Sequence, residues 1–146
     1  MTVNLKIKKL ENCTGIPAYQ TSGSAGMDLH AGISSPVEIM PMERKLIPTG
    51  ISIELPAGYE AQVRPRSGLS IKHGITLINC VGTIDEDYRG EVCVGMINLS
   101  DTPYTIAPGE RIAQMVISPV VHAEIVQTEE LAATVRGAGG FGSTGV

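Results

Sequence analysis

The sequence lacks tryptophan altogether and has a single phenylalanine, Phe141, among its 146 residues. A hydrophobic core must therefore be built from aliphatic side chains, and a hydrophobic content of 42% is sufficient for one. At this length we expect one domain rather than several.

Cysteine is also scarce, and its spacing excludes a cysteine-based framework. Cys13, Cys80 and Cys93 are odd in number and show no C-x-x-C pattern, so we expect neither a disulfide scaffold nor a zinc site. The pattern predicts instead that the three are small buried hydrophobic residues in a reducing compartment.

Long runs of positive charge or of apolar residues are absent as well. The net charge is −4 and no basic run exceeds Lys8–Lys9, so we expect no binding to nucleic acid or to an anionic membrane. No stretch approaches the roughly 18 apolar residues of a membrane span, and the segment MTVNLKIKKL lacks the apolar centre of a signal peptide. We therefore expect a cytoplasmic protein, and a small anionic substrate held by a few arginines remains compatible with this charge.

The dominant pattern is an alternation of apolar and polar residues with a period of two. Such short runs, separated by glycine and proline, are typical of an antiparallel sandwich or barrel. Turns are predicted at 47–50, 56–58 and 108–109 from their proline and glycine residues. The predicted strands cover Leu5 to Ile7, Ile51 to Leu55, Tyr59 to Val63, Val92 to Met96, Ile112 to Ile117 and Val121 to Val126.

One segment, RPRSGLSIKHG, breaks this alternation. Pro65 closes a strand, Ser67 can serve as an N-cap and Gly74 as a C-terminal stop, so a short helix is predicted near 67–74. A helix start beside Arg66 suits an anion, although a capped connector with no ligand explains the same residues.

The C-terminal RGAGGFGSTGV contains the spacing G-x-G-x-x-G and resembles a phosphate loop with Ser143 in place of lysine. Both motifs require a helix after the glycines, and the segment predicts none. A flexible tail is one explanation. The alternative is a lid, because Phe141 between glycines needs an apolar or flat surface, and Arg136, Ser143 and Thr144 suit an anion.

Two carboxylates have a plausible chemical role. In NCVGTIDEDYRGEV, two strands flank an acidic turn in hairpin order, and if Ile84 faces the core, Asp85 points toward a ligand on the other face. An ionised carboxylate there can orient or deprotonate water, although a solvated turn is the simpler explanation. Asp28, at the start of a strand, is either a turn residue or a magnesium site acting mostly through water. Gln114 is either solvent-facing or a polar contact in a cleft.

Taken together, five segments resemble the five motifs of the trimeric deoxyuridine triphosphate nucleotidohydrolases, the dUTPases. In order they are AGMDLHA, RPRSGLSIKHG, NCVGTIDEDYRG, GERIAQM and RGAGGFGSTG, spanning residues 25 to 145. The resemblance implies an all-β distorted jelly roll, with residues 1–135 as one β domain and residues 136–146 as a glycine-rich lid, hereafter the lid segment. It also implies a homotrimer whose sites are shared between chains.

The resemblance further implies magnesium-assisted hydrolysis of dUTP to dUMP and pyrophosphate. In that scheme Asp85 activates the water that attacks the α-phosphate, and Asp28 holds Mg²⁺ through water. Tyr88 packs under the deoxyribose and excludes a 2′-hydroxyl, while Phe141 stacks on uracil. The remaining implied substrate contacts are Arg66, Ser67, Gly68 and Gln114 at the phosphates, Asn79, Thr83, Ile84 and Cys93 at the uracil, and Arg136, Ser143 and Thr144 in the lid segment.

Two alternative functions are weaker. A dCTP deaminase has the same fold, but its hairpin usually carries a Pro-Gly-Phe type sequence and a catalytic glutamate, whereas this chain has Asp85-Glu86-Asp87-Tyr88. A non-catalytic jelly-roll binding module is the other alternative, and for it we would expect Asp28, Asp85 or Arg136 to be replaced.

Overall fold

The computed structural model describes residues 2–140. In this range the regular secondary structure consists of β-strands, as the alternation predicts, and one short helix. The elements are β1 Lys6–Lys9, β2 Met27–His30, β3 Val37–Ile39, β4 Arg44–Glu54, β5 Tyr59–Arg64, α1 Ser67–His73, β6 Ile75–Leu77, β7 Gly82–Ile84, β8 Glu91–Asn98, β9 Tyr104–Ile106 and β10 Arg111–Pro119.

Two four-stranded antiparallel sheets enclose the core. One has the order β1-β4-β8-β6, the other β2-β10-β5-β7, and a two-stranded sheet is formed by β3 and β9. The non-sequential neighbours are those of a jelly roll, which confirms the expected fold class. The buried side chains from both four-stranded sheets form one continuous aliphatic cluster; its fully or almost fully buried members include Leu29, Ile47, Ile51, Val94, Met96, Ile112 and Met115.

Two expectations about the strands are wrong. The predicted turn at 47–50 is instead part of the eleven-residue β4, which passes through Pro48 and Gly50 with a register shift between Pro48 and Ser52 against β8. A bulge tolerates proline and a positive φ, which is 72° at Gly50, so the chain bends there without leaving the sheet. The predicted strand Val121 to Val126 is also not formed. Val121 and Ile125 are 93% and 95% exposed, because no strand among residues 2–140 lies beside them.

The predicted helix is confirmed as α1, although its N-cap is not the residue expected. Arg66, not Ser67, occupies the N-cap, and it makes no side-chain capping bond. Gly74 does end the helix in the left-handed conformation, with φ 67°, and its N–H donates to the carbonyls of Leu69 and Ser70. The helix therefore begins directly after Arg66, which fixes where that arginine emerges.

The cysteines are free thiols, but they are less buried than expected. Cys80 is exposed and Cys13 and Cys93 are half-buried. Cys80 lies in the loop between β6 and β7 rather than on a core-facing strand position. Among the described residues, no helix has the length and apolar character needed to cross a membrane.

Candidate active site

The acidic turn joins two strands that do not pair with each other. β7 pairs with β5, whereas β8 pairs with β4 and β6, so the expected hairpin is wrong and the connection from Asp85 to Gly90 passes from one sheet to the other. The prediction for the side chains holds nevertheless. Ile84 is buried and Asp85 is exposed, because successive residues at the end of β7 point to opposite faces.

An open cavity of about 330 Å³ lies beside this turn. Its size is within the usual range for small-molecule sites. It brings together five residues predicted from the sequence and three that were not, and is lined by Leu46, Thr83, Ile84, Asp85, Tyr88, Glu91, Val92 and Cys93. Leu46 is 70% exposed, so an apolar side chain from β4 is available to a ligand at this cavity.

Asn79 and Cys93 border the same region from different sides. A Cβ on Gly82 would lie 3.1 Å from Asn79 Nδ2 and one on Gly95 3.8 Å from Asn79 Oδ1, so the amide sits between the backbones of β7 and β8. The Cys93 thiol lines the cavity, and burial, with a smaller contribution from the Glu91 carboxylate, raises its pKa. Cys93 is therefore a neutral lining group at physiological pH.

A second cluster forms around Asp28 on β2. Its side chain is only 12% exposed, and both carboxylate oxygens are engaged: Oδ1 lies 3.2 Å from Arg66 Nε, and Oδ2 3.1 Å from Arg111 Nη1. Arg66 Nη1 also donates to the carbonyl of Arg111, at 2.7 Å. The side chains of Asp28, Arg66 and Arg111, with a net charge of +1, are called the Asp28 cluster below.

Arg111 is a site residue that the sequence reasoning missed. It lies three positions before Gln114, so simple alternation would place the two side chains on opposite faces of β10. A bulge between Arg111 and Ala113 inserts one extra residue in β10, so the two side chains lie on the same face after all. Arg111 pairs with His30 and Gln114 with Asp28, which are two residues apart on β2. The only sequence signal for it was its position within GERIAQM.

Gln114 lies beside this cluster and is half-buried rather than facing bulk solvent. Its Nε2 donates to the carbonyl of Pro65 at 2.9 Å, which ties β10 to the segment before α1. A Cβ on Gly26 would lie 2.5 Å from Gln114 Oε1, so the amide packs directly against the backbone at Gly26. Ser67 and Gly68 follow Arg66 on the first turn of α1 and are exposed, as phosphate ligands would have to be.

The cavity and the Asp28 cluster are well separated in one chain. Across the sheet β2-β10-β5-β7, Asp28 pairs with Gln114, and Gln114 pairs with Arg64 on β5. Ile84 on β7 pairs with Ala61, which lies three residues before Arg64 on β5. Three strand spacings of about 4.8 Å and three residues of about 3.4 Å put Asp28 and Ile84 about 18 Å apart. Asp85 lies farther along the same direction, so one chain does not bring Asp28 and Asp85 together.

The lid segment is described only in part. Arg136 Nε donates to the carbonyl of Gly139 at 2.9 Å, within its own turn, and this exposed arginine makes no described contact with the cavity or the Asp28 cluster. The predicted roles of Phe141, Ser143 and Thr144 concern positions outside the described residues.

Comparison with known proteins identifies the family. The dUTPase family profile matches residues 13–145. A deoxyuridine 5′-triphosphate nucleotidohydrolase of Nautilia profundicola is 59% identical over 98% of this chain and 99% of its own length. Among solved structures, the Staphylococcus bacteriophage 80alpha dUTPase with dUPNHPP is 30% identical, with a TM-score of 0.90 over 99% of this chain and 100% of that one. A dUTPase mutant from phage phi11 of S. aureus, described with a structural Mg(II) ion, is 25% identical, with a TM-score of 0.80 over 89% of this chain and 99% of that one. The chain therefore belongs to the dUTPase family of enzymes that hydrolyse deoxyuridine triphosphate.

Proposed function

We propose that Asp85 is the general base of dUTP hydrolysis in this enzyme. The observation that carries this assignment is an exposed carboxylate at the edge of a cavity of about 330 Å³, next to the aromatic ring of Tyr88. Asp85 takes a proton from a water whose oxygen bonds to the α-phosphorus. The bond from that phosphorus to the bridging oxygen of the β-phosphate breaks, and dUMP and pyrophosphate leave.

The cavity would hold the nucleoside. Backbone groups from Thr83 through Cys93, with Asn79 beside them, would present hydrogen-bonding partners to a pyrimidine edge and would fit uracil closely enough to exclude the methyl group of thymine. Tyr88 would lie under the deoxyribose and exclude a 2′-hydroxyl. The apolar lining from Ile84 and Val92 suits a base and sugar rather than phosphates.

The phosphates would lie against the positive Asp28 cluster. Arg66 supplies a guanidinium, Ser67 and Gly68 supply a hydroxyl and backbone N–H groups, and Gln114 lies beside them. A donor so placed at the bridging oxygen stabilises charge where it develops in the transition state.

Magnesium fits this cluster only as a hydrated ion. The described residues contain no group of three metal-ligating side chains, and the oxygens of Asp28 are shared by two guanidinium groups. A single carboxylate acting through water, with phosphates as the inner ligands, is the arrangement that Mg²⁺ commonly adopts. Asp28 would hold the ion in this way, and the ion would neutralise charge on the phosphates. The phage phi11 relative with its structural Mg(II) ion supports the choice of metal.

We further propose a homotrimer in which each site is shared between chains. Asp28 would hold the ion against the same triphosphate whose α-phosphate the Asp85 water attacks, so Asp28 and Asp85 would have to act on one short substrate. Their separation of about 18 Å or more in one chain is too large for this, and residues from different chains would meet instead. The segment after β10, with Val121, Ile125 and Leu131 88% to 95% exposed, supplies apolar surface for such an assembly.

The lid segment would complete the site. Residues 1–135 would form the folded domain, and residues 136–146 would close over the bound nucleotide. Phe141 would stack on uracil, and Arg136, Ser143 and Thr144 would contact the phosphates. The support is compositional, since a ring flanked by glycines can reach a base without steric hindrance from its neighbours.

The decisive experiment compares Asp85→Asn with Asp87→Asn, which makes the same charge change two residues away on the same turn. Each protein is incubated with dUTP, dCTP or UTP and Mg²⁺, and the products are separated by chromatography. We expect the wild type and Asp87→Asn to release dUMP and pyrophosphate from dUTP, and Asp85→Asn to bind dUTP without turnover. Turnover of dUTP by Asp85→Asn at the wild-type rate would remove Asp85 from the mechanism, and deamination of dCTP would favour the alternative enzyme. Light scattering on the purified protein tests the trimer.

A further inference from the structure

Arg89, near the end of the acidic turn between β7 and β8, donates hydrogen bonds to two backbone carbonyls of that turn. Arg89 Nη1 donates to the carbonyl of Glu86 at 2.6 Å and to that of Tyr88 at 2.9 Å. The turn is closed by the Tyr88 N–H, which donates to the carbonyl of Asp85 at 3.2 Å. One guanidinium thus fixes the backbone on both sides of Asp87, between the two residues assigned to catalysis and sugar recognition.

Arg89 is itself placed at the edge of the β1–β4 pair. It lines a groove with Lys6, Ile53 and Glu54. The Lys6 ammonium, bonded to Glu54 at 2.6 Å, lowers the pKa of that carboxyl, and Arg89 adds a smaller contribution of the same sign. Arg89 therefore lies between the acidic turn, which its guanidinium contacts, and the β1–β4 pair, whose groove it lines.

Glu86 is directed away from the cavity. Its Oε2 accepts the backbone N–H of Gly58 at 2.5 Å, in the turn between β4 and β5. Three consecutive carboxylates repel one another. Because Glu86 is bonded on the far side, Asp85 is the carboxylate of the turn that lines the cavity.

The ring of Tyr88 is fixed by a second set of contacts. Its hydroxyl donates to the carbonyl of Glu91 at 3.1 Å. A Cβ on Gly90 would lie 2.3 Å from that hydroxyl oxygen and 2.6 Å from the adjacent ring carbon, so the ring lies directly on the backbone of Gly90. Only glycine at this position leaves room for the ring.

We propose that Arg89 is a positioning residue that sets both the rate and the sugar selectivity of the reaction, by holding the Asp85–Tyr88 turn, with Gly90 providing the surface for the Tyr88 ring. This rests on the roles proposed above for Asp85 and Tyr88. Without the guanidinium, the carbonyls of Glu86 and Tyr88 turn to water and the turn gains conformational freedom. A displacement of about 1 Å is enough to reduce a rate about 100-fold, so weak backbone contacts can have a large kinetic effect.

The test compares Arg89→Ala with Arg89→Lys and with Lys6→Ala, which removes a positive charge from the same groove without a described contact to the turn. For each protein kcat/KM is measured with dUTP and with UTP, together with the melting temperature. We expect Arg89→Ala to lose about 10- to 100-fold in kcat/KM for dUTP and at least about tenfold in the dUTP-to-UTP ratio. Arg89→Lys, which can still donate one of the two bonds, should recover part of both, and Lys6→Ala should resemble the wild type.

A second variant reaches the same ring without altering charge. Gly90→Ala should displace Tyr88 and lower the dUTP-to-UTP ratio while Asp85 and Arg89 stay in place. An unchanged dUTP-to-UTP ratio in Arg89→Ala or in Gly90→Ala, or an equal loss in Lys6→Ala, would overturn the proposal. These outcomes are separable from failure of the proposed site, because full turnover by Asp85→Asn would reject the site whatever Arg89 does.

Discussion

Asp28→Asn should have opposite effects on nucleotide binding with and without magnesium. In the free enzyme Asp28 occupies the two guanidinium groups that phosphates would use, at 3.2 Å and 3.1 Å. The asparagine has the same size but no charge, so both arginines become available to phosphate. With Mg²⁺ present, however, the carboxylate that holds the hydrated ion is missing.

The size of the effect follows from the exposure of the partners. The Arg66, Arg111 and Asp28 side chains are 27%, 48% and 12% exposed. The strength of each ion pair therefore lies between that of an exposed pair, up to about 1 kcal/mol, and that of a buried pair. At about 1 kcal/mol for each pair, the release of both corresponds to about 2 kcal/mol, or about 30-fold in affinity. We therefore expect a non-hydrolysable dUTP analogue to bind Asp28→Asn about 10- to 30-fold more tightly than wild type in EDTA.

The measurement is a calorimetric titration of both proteins in EDTA and in excess Mg²⁺. Wild type should gain affinity when Mg²⁺ is added, whereas Asp28→Asn should gain little. Asp101→Asn, the same charge change in the exposed loop before β9, is the matched control and should follow the wild type. Weaker binding of the analogue by Asp28→Asn in EDTA would refute the competition between Asp28 and phosphate for the arginines.

Three further outcomes are expected. Asn98→Ala should lower the free energy of unfolding by about 3 to 5 kcal/mol and Tm by about 10 °C. The amide of Asn98 is fully buried, donates to the carbonyls of Ile39 and Thr102, and accepts from the N–H and hydroxyl of Ser100. Iodoacetamide at pH 7.5 should label the exposed Cys80 before Cys93, because the raised pKa of Cys93 reduces the fraction of reactive thiolate at this pH. Peptide mass spectrometry after timed quenching measures the labelling of both cysteines. Deletion of residues 136–146 should leave Tm almost unchanged and abolish most dUTP turnover, since stacking on a base is worth about 1 to 3 kcal/mol.

The stability and labelling predictions each have a control. Asp101→Ala, in the loop next to Ser100, should keep the stability of the wild type at the same protein concentration. Bound dUTP analogue should slow labelling of Cys93, which lines the cavity, more than that of Cys80. Equal labelling rates at pH 7.5, a loss below about 1 kcal/mol for Asn98→Ala, or full activity after the deletion would contradict the corresponding prediction.

Several features of this protein follow from local sequence. Alternation between apolar and polar residues predicts the strands that became β4, β5, β8 and β10, because a strand with one face on the core must repeat with a period of two. Gly74 ends α1 for a local reason, its left-handed backbone. The buried Ile84 and exposed Asp85 follow from the same alternation, and the five ordered motifs were sufficient to indicate the family.

Other features were decided only by tertiary structure. Arg111 joins Asp28 because a single bulge shifts the phase of β10, and the run of residue types does not show where a strand carries an extra residue. Val121 to Val126 alternates like a strand yet forms none, since a strand requires a pairing partner and the described part of the chain places none beside it. The separation of β7 and β8 into different sheets, and the bonds of Arg89 and Glu86 that hold the turn between them, depend on pairings between distant segments. Periodicity is a property of neighbouring residues, whereas the position of this site depends on which distant strands pair and in which register.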